Sequence, residues 1–251
     1  MLSFRNSTKQ LADAGVDTAV ISVGSTEQCG PCLPLHIDTL VAEYFARAFG
    51  ERLNAYVLPT LPFNTAEEHA SFTGTVTLRP STVMLVLEEI VAGLRTQGFR
   101  KQVLTCGHGG SYWLAAFIKQ INRQFADIVV VNAHQGGANV WEEARAHAGL
   151  AGRGEVHGGA ESRALALYLA PDCVLPGAFG RAIPEDERAY MDYMTWEKIA
   201  PDGSWGAYAE SDAEVATAEA GRALLEYFIA HQGTWLAEHL TGACKRKGIP
   251  V

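Results

Sequence analysis

The chain has 251 residues, 48% of them hydrophobic and 19% charged, which is typical of a globular protein with enough apolar material for a core. Its net charge of −8 argues against nucleic acid or an anionic membrane as a partner, because either would favour a basic face. The sequence contains no apolar run of the roughly 20 residues that span a bilayer, and its first residues do not resemble a signal peptide. Five cysteines, an odd number, do not form a secreted disulfide framework, so we expect a cytoplasmic protein.

Strand-like and helix-like segments alternate along the chain. The pattern predicts strands at Thr18–Val23, Ala55–Pro59, Gln102–Thr105 and Ile128–Asn132. It predicts helices at Thr39–Leu53, Ser81–Gln97, Ser111–Phe125, Asn139–Ala148, Glu161–Leu169 and Glu210–His231. This alternation indicates an α/β fold in a single domain over residues 1–251, with a parallel-dominated sheet and helices on both faces. Residues 170–206 are richer in Pro, Gly and aromatics, and we interpret them as an excursion that forms a lid or an oligomer contact.

Ligand-type side chains follow the predicted strands at the edge where open parallel sheets bind their ligands. The segments are GSTEQCGPCLPLHID at 24–38, CGHGGS at 106–111 and EVHGGAE at 155–161. Each residue also has an ordinary structural explanation: Asp38 suits a helix N-cap, and Gly-His-Gly-Gly suits a tight turn. Together, however, these carboxylates, imidazoles and thiols are costly to bury at one edge without a cation or a substrate.

The four residues from Cys29 to Cys32 are spelled like the redox pair of thioredoxins. In a thioredoxin the second cysteine begins a long helix, whereas here Pro34 pushes Leu33 out of the α region. A structural zinc site would need a second cysteine pair, which the sequence lacks. A thiol oxidoreductase and a zinc clip are therefore the weaker alternatives, and reversible two-electron titration of the two thiols would reveal the first.

The segment at 24–38 resembles the signature of the creatininase (creatinine amidohydrolase) family, Gly-Ser-x-Glu-Gln-His-Gly-x-His-Leu-Pro-Leu-x-x-Asp. Cys29 and Cys32 stand at the two histidine positions of that signature. Similar blocks follow in the family's order: EEHASFTGTVTLRPST at 67–82, GFRKQVLTCGHGGS at 98–111 and VHGGAESRALAL at 156–167. The resemblance implies a three-layer α/β/α hydrolase, usually a homohexamer, with two divalent metal ions in each active site.

The resemblance also implies roles for individual side chains. Glu27 and His108 would bind one ion, Asp38 would bridge both, and Cys29 would bind the second. Glu161 would complete the second site and act in catalysis, and His157 matches the histidine that handles protons during turnover. The positions expected to line the pocket or to support the ligands are Cys32, His36, His69, Gly109 and Gly110.

Cysteine at position 29 affects which metals the site would prefer. Thiolate is a good ligand for Zn²⁺ and biases a site away from harder ions, so Zn²⁺ is the first expectation, with Mn²⁺ and iron as alternatives. The rival interpretation is that Cys29 is an unliganded thiol and that the second ion is weak or missing. Two cations that share a carboxylate lower the pKa of water between them toward neutrality, which suits hydrolysis at pH 7.

These residues favour an enzyme that acts on a small molecule. The first hypothesis is a metal-dependent amidohydrolase that opens a cyclic amide or a related C–N bond. The second is hydrolysis of a C–C bond in a cyclic polyol ketone of the keto-inositol type. The third is a metal-poor, non-catalytic homologue, against which the presence of Glu27, Asp38 and His108 argues.

Overall fold

A computed structural model describes residues 1–134, 139–152, 157–177, 185–191, 193–199, 201 and 212–251. One parallel sheet crosses this part of the chain in the order β1-β3-β2-β4-β5. Its strands are β1 (Leu2–Ser3), β2 (Thr18–Val23), β3 (Tyr56–Val57), β4 (Lys101–Cys106) and β5 (Val129–Asn132). Val23 at the end of β2 lies opposite Cys106 at the end of β4, so the loops that leave these strands start level with each other.

Helices cover both faces of the sheet. The helices of the described residues are α1 (Thr8–Ala14), α2 (Ile37–Leu53), α3 (Pro80–Thr96), α4 (Leu114–Gln124), α5 (Val140–His147), α6 (Ala160–Leu169), α7 (Glu185–Arg188) and α8 (Ala218–Lys247). Short 3-10 helices lie at Glu67–His69, Pro171–Cys173 and Trp196–Lys198. Among the described residues, no helix is both long enough and apolar enough to cross a membrane.

The two faces of the sheet carry separate apolar cores, because side chains alternate along each strand. Val20 and Val103 pack in the core that contains residues of α2, α6 and α8. Ile21 and Leu104 point to the other face, where they pack in the core formed with α3 and α4. The predicted α/β fold with a parallel sheet and helices on both faces is confirmed, and its layers are α/β/α.

The last helix differs most from its prediction. The sequence pattern predicts a helix over Glu210–His231; residues 210 and 211 lie outside the described residues, and α8 begins at Ala218 and continues to Lys247. It begins there because the Thr217 side chain accepts a hydrogen bond from the Ala220 N–H, which caps the helix. It continues past His231 because buried residues recur every four positions, as at Leu236 and Leu240, and Gly248 then ends it in the left-handed conformation.

The first strand and the first helix were not predicted. The strand β1 has only two residues, which is too short for a periodic pattern. Helix α1 buries none of its side chains, so it has no apolar stripe to recognise. Its signal lies in the capping box, in which Ser7 and Gln10 satisfy each other's backbone N–H groups.

The predicted excursion at 170–206 is described only in part. Residues 178–184, 192, 200 and 202–206 lie outside the described residues, as do Glu155 and Val156 of the EVHGGAE segment. The described portion places Trp196 close to His69 and His157. A role as a lid or an oligomer contact stays a prediction.

Candidate metal and catalytic site

A cleft of about 520 Å³ lies where the loops after β2 and β4 meet. Its volume is in the range of ordinary small-molecule sites. Titratable and aromatic side chains in its lining include Glu27, Asp38, Glu68, His69, His108, His134, Trp141, His157, Glu161 and Trp196. The sequence prediction that polar strand-end residues converge on one crevice is therefore confirmed for the loops after β2 and β4.

Glu27 is held in the loop after β2 with one carboxylate oxygen bound and the other unused. Ser25 donates a hydrogen bond to Glu27 Oε2 at 2.7 Å, and Thr39 of α2 donates to the Ser25 carbonyl at 2.8 Å. Oε1 is buried and makes no hydrogen bond to the described residues. Burial first, and the charge of Asp38 second, raise the pKa of Glu27 to about 7. An oriented carboxylate with one free buried oxygen is suited to a cation.

His108 presents its Nδ1 atom to this carboxylate. Its Nε2–H donates to the Thr65 carbonyl at 2.6 Å, so Nδ1 faces the cluster, 3.2 Å from Glu27 Oε1 and 3.0 Å from Asp38 Oδ2. Burial lowers the pKa of His108, but the hydrogen bond to Asp38 and the negative charges of Glu27 and Asp38 outweigh it and hold that pKa well above 6.5. A proton thus occupies the space between Nδ1 and the two carboxylates. A ring fixed by a backbone carbonyl on its far side is the usual arrangement of a metal-binding histidine.

Glycine at two positions allows these loops to approach closely. A Cβ atom at Gly107 would collide with the Asp38 carbonyl and the Ala42 nitrogen of α2. A Cβ atom at Gly110 would lie 2.7 Å from Glu68 Oε1 and would also collide with the His108 ring. Gly107 and Gly110 are therefore required by the packing around His108, whereas a Cβ atom at Gly109 would contact nothing within 4 Å.

Two groups of metal-ligand type share Glu27. Glu27, Asp38 and His108 have donor atoms within 4.8 Å of one another, and so do Glu27, His69 and His157. Asp38 stands in the first turn of α2, where the helix dipole favours its negative charge. Two carboxylates and an imidazole suit Zn²⁺, Mn²⁺ or iron, so the first group fits the metal chemistry expected from the sequence.

His69 and His157 stack on each other beside this cluster. Their ring centroids are 4.3 Å apart, and Trp196 meets both rings edge-on. The Nε2–H of His157 donates to the Gln28 carbonyl at 2.6 Å. Burial lowers the pKa of both rings, that of His69 to about 2, and the positive charge of His108 lowers both values further. Both rings are neutral at pH 7.

Cys29 and Glu161 lie in the cleft but outside both groups of metal-ligand type among the described residues. Cys29 is buried, and it packs within the core on the α2, α6 and α8 face. Glu161 Oε2 lies 2.7 Å from Arg145 Nε, and Glu161 Oε1 accepts a hydrogen bond from Trp141 Nε1 at 3.2 Å. The metal roles of Cys29 and Glu161 stay predictions, as does the bridging role of Asp38; the residue that the two groups share is Glu27.

The remaining predicted positions divide between the cleft and its surroundings. His69, Gly109 and Gly110 line the cleft. Cys32 and His36 are not in its lining. His36 occupies the N-cap position of α2 without a side-chain capping bond, and burial raises the pKa of Cys32 against the opposing charge of Arg163.

Sequence reasoning missed several cleft residues. Trp141 and Trp196 had no recognisable pattern around them, and His134 follows β5 as a single histidine. His134 accepts a hydrogen bond from the Cys106 N–H at 3.1 Å, and burial lowers its pKa to about 4. Gln28 is not in the cleft lining but contacts His69 and His157, and it was missed because glutamine is neither a titratable nor a typical metal-binding residue.

Comparison with known families identifies the family to which this chain belongs. The family model described as creatinine amidohydrolase matches residues 5–234. The chain belongs to the creatininase family. The chain is 24% identical over 227 residues to the creatinine amidohydrolase of Pseudomonas putida, and this match covers 85% of the chain and 86% of that protein.

Other relatives in the creatininase family have different names. The chain is 27% identical over 186 residues to the mycofactocin precursor peptide peptidase of Mycolicibacterium smegmatis, covering 67% of this chain and 64% of that protein. It is 28% identical over 118 residues to the 3-dehydro-scyllo-inosose hydrolase of Thermotoga maritima, and this match covers 46% of this chain and 38% of that protein. Matches to four mycobacterial peptide peptidases span only 40% to 64% of their lengths.

Solved creatininases share the fold of this family member. A creatinine amidohydrolase (creatininase) superposes with a TM-score of 0.71 at 21% identity, covering 95% of this chain and 98% of that one. Other creatininases of this fold are described as a manganese form, as a variant of Zn–Zn type and as a variant in complex with creatine.

Proposed function

We propose that this chain is a metal-dependent hydrolase whose first divalent ion is held by Glu27, Asp38 and His108. The observation that carries the proposal is the free buried oxygen of Glu27, which lies 3.2 Å from His108 Nδ1 in a cleft of small-molecule size. A cation bound there would supply Lewis-acid chemistry, polarising a substrate carbonyl and making water more acidic. The names of the relatives and of the solved creatininases support the same class.

The chain's own residues would handle the proton. A neutral imidazole has one protonated nitrogen, and in His157 that is Nε2, which is bound to the Gln28 carbonyl. Nδ1 therefore keeps a lone pair that can take a proton and later deliver it to a leaving nitrogen. The low pKa of the buried ring keeps this lone pair available at neutral pH. Trp196 packs against this ring in a T-shaped arrangement, with the ring centroids 5.1 Å apart.

The substrate that we propose first is a cyclic amide or a related small molecule with a C–N bond to open. A peptide bond belongs to the same chemical class, and the relatives named as peptide peptidases make it the nearest variant. The second candidate is a cyclic polyol ketone, because one relative is named as an inosose hydrolase. We also propose a homo-oligomer, a hexamer by family resemblance.

The test is a metal-reconstitution assay on a substrate panel. Metal-free protein is loaded with Zn²⁺, Mn²⁺ or Fe²⁺ and given lactams, short peptides and inososes, and the release of amine or carboxylate is followed. Metal-dependent opening of a lactam supports the first candidate, and turnover of inososes alone selects the second. Activity that survives exhaustive chelation would contradict the metal-dependent mechanism.

A further inference from the structure

Gln28 contacts both stacked histidines, but through different atoms. Its main-chain carbonyl accepts the Nε2–H of His157, and its side-chain nitrogen lies 2.7 Å from His69 Nδ1. The side chain of Gln28 is buried, and its main-chain N–H donates to Thr75 Oγ1 at 3.0 Å. These contacts fix Gln28 between the two rings.

The direction of the hydrogen bond to His69 follows from the other end of the amide. The Gly30 N–H donates to Gln28 Oε1 at 2.8 Å, so this atom is the carbonyl oxygen and the atom facing His69 is the NH₂ group. An NH₂ group can only donate, so His69 Nδ1 must accept. A neutral imidazole whose Nδ1 accepts carries its proton on Nε2.

The protonated nitrogen of His69 is the one that faces the cluster. His69 Nε2 lies 3.7 Å from Glu27 Oε1, and His69 lines the cleft. Glu27, His69 and His157 have the spacing of a metal site, yet a nitrogen that carries a proton has no lone pair for a cation. The hydrogen bonds therefore distinguish the two stacked histidines: Nδ1 of His157 is left unprotonated, whereas His69 offers an N–H to the cleft.

We propose that Gln28 is a positioning residue that holds His69 as a hydrogen-bond donor in the cleft, so that His69 binds an oxygen of the substrate rather than a metal ion. The oxygen of a carbonyl gains negative charge during hydrolysis, and an N–H that is already oriented stabilises that charge without reorganising. The identity of this oxygen rests on the proposed hydrolase function. The tautomer of His69 does not depend on that function, because it follows from the hydrogen bonds of Gln28.

The tautomer is tested directly by NMR of metal-free protein labelled with ¹⁵N-histidine. Long-range ¹H–¹⁵N spectra distinguish protonated from unprotonated ring nitrogens, and a His69→Gln variant assigns the signals. Wild type is expected to show His69 with Nε2 protonated. Gln28→Glu keeps an oxygen for the Gly30 N–H but replaces the donor with an acceptor, so the proton should move to His69 Nδ1. An Nδ1–H tautomer in wild type, or no change in Gln28→Glu, would overturn the proposal.

Metal binding and turnover test the consequence. Because His69 is a donor, His69→Ala should bind Zn²⁺ with the wild-type stoichiometry while kcat falls about 10²–10³-fold. His69→Gln, which retains an NH₂ donor, should recover part of that loss. Fewer bound ions in His69→Ala would show that His69 is a ligand and would overturn the proposal. If wild type binds no Zn²⁺, the hydrolase function and the assigned oxygen fail together, and the NMR result alone decides the role of Gln28.

Discussion

Glu27 Oε1 lies 3.2 Å from His108 Nδ1, although the two residues belong to loops that follow different strands. The contact arises because β2 and β4 are parallel neighbours that end level with each other. Since Asp38 Oδ2 is 3.0 Å from the same nitrogen, two carboxylates converge on one imidazole in a buried position. Three such groups are costly to bury without a cation, and this cost is the physical basis of the proposed metal site.

Metal affinity should depend steeply on pH. Burial and the charge of Asp38 raise the pKa of Glu27 to about 7, and the two carboxylates hold the pKa of His108 well above 6.5 despite burial. Both groups thus hold protons that a cation must displace, so affinity is expected to fall as the pH drops below about 7, by about tenfold per pH unit for each displaced proton. Competition with a chromogenic chelator between pH 5.5 and 8 measures this slope.

A pair of variants separates the contribution of Glu27 to that slope. Glu27→Gln should bind Zn²⁺ more weakly and should flatten the dependence on pH by about one proton. Glu89→Gln, which changes an exposed carboxylate of α3, should retain the wild-type slope. An affinity that is independent of pH in wild type would show that these groups are not the ligands.

Removing Asp38 should release the metal. In Asp38→Asn the shape of the side chain is kept, but the negative charge facing His108 Nδ1 is lost. We expect less than half of the wild-type metal content by elemental analysis after gel filtration, together with loss of hydrolysis. Full occupancy in Asp38→Asn would exclude Asp38 from the ligand set.

His157→Ala should separate catalysis from metal binding. The proposed role of His157 is proton transfer, so metal content is expected to remain unchanged while kcat falls about 10²–10⁴-fold. His231→Ala provides the control. This histidine of α8 is exposed, and its ring forms a hydrogen bond with the Tyr227 carbonyl of its own helix. Normal turnover in His157→Ala would leave this residue with a structural role alone.

A second ion is expected to bind more weakly than the first. The predicted second site needs Cys29 and Glu161, but Glu161 is engaged by Arg145 and Trp141. Titration with Zn²⁺ should therefore show one tight and one weaker ion. Arg145→Met should tighten the weaker ion by freeing Glu161, and Cys29→Ala should abolish it. Cys244→Ala, which alters another buried cysteine, is the control. Identical stoichiometry in wild type and Cys29→Ala would show that Cys29 is no ligand.

The sequence predicted the fold well because its signals are local and repeated. Strand β2 is buried on both faces and is mostly apolar, and α3 shows a clear periodic pattern after Pro80. The strand-end rule then correctly placed Glu27 and His108 in one cleft. The extension of α8 to Lys247 was missed although Leu236 and Leu240 continue its period, because polar and charged residues separate them and only the packing against α5 and α6 shows which face of the helix is buried.

The finer arrangement of the site could not be predicted, because it depends on hydrogen bonds between distant segments. The orientation of His108 requires the Thr65 carbonyl, and that of His69 requires the amide of Gln28. The pairing of Glu161 with Arg145 also needs the docking of α5 beside α6. Residue types indicate which groups can bind a metal, but only their partners determine which nitrogen or oxygen is available.

Anomalous X-ray diffraction from crystals soaked in Zn²⁺ would locate the proposed ion relative to its three ligands. We expect a strong peak about 2.0–2.2 Å from a Glu27 oxygen, an Asp38 oxygen and His108 Nδ1, with His69 Nε2 outside the coordination sphere. A strong peak coordinated by His69 and His157 without Asp38 and His108, or no peak in the cleft at saturating Zn²⁺, would contradict the proposed metal site.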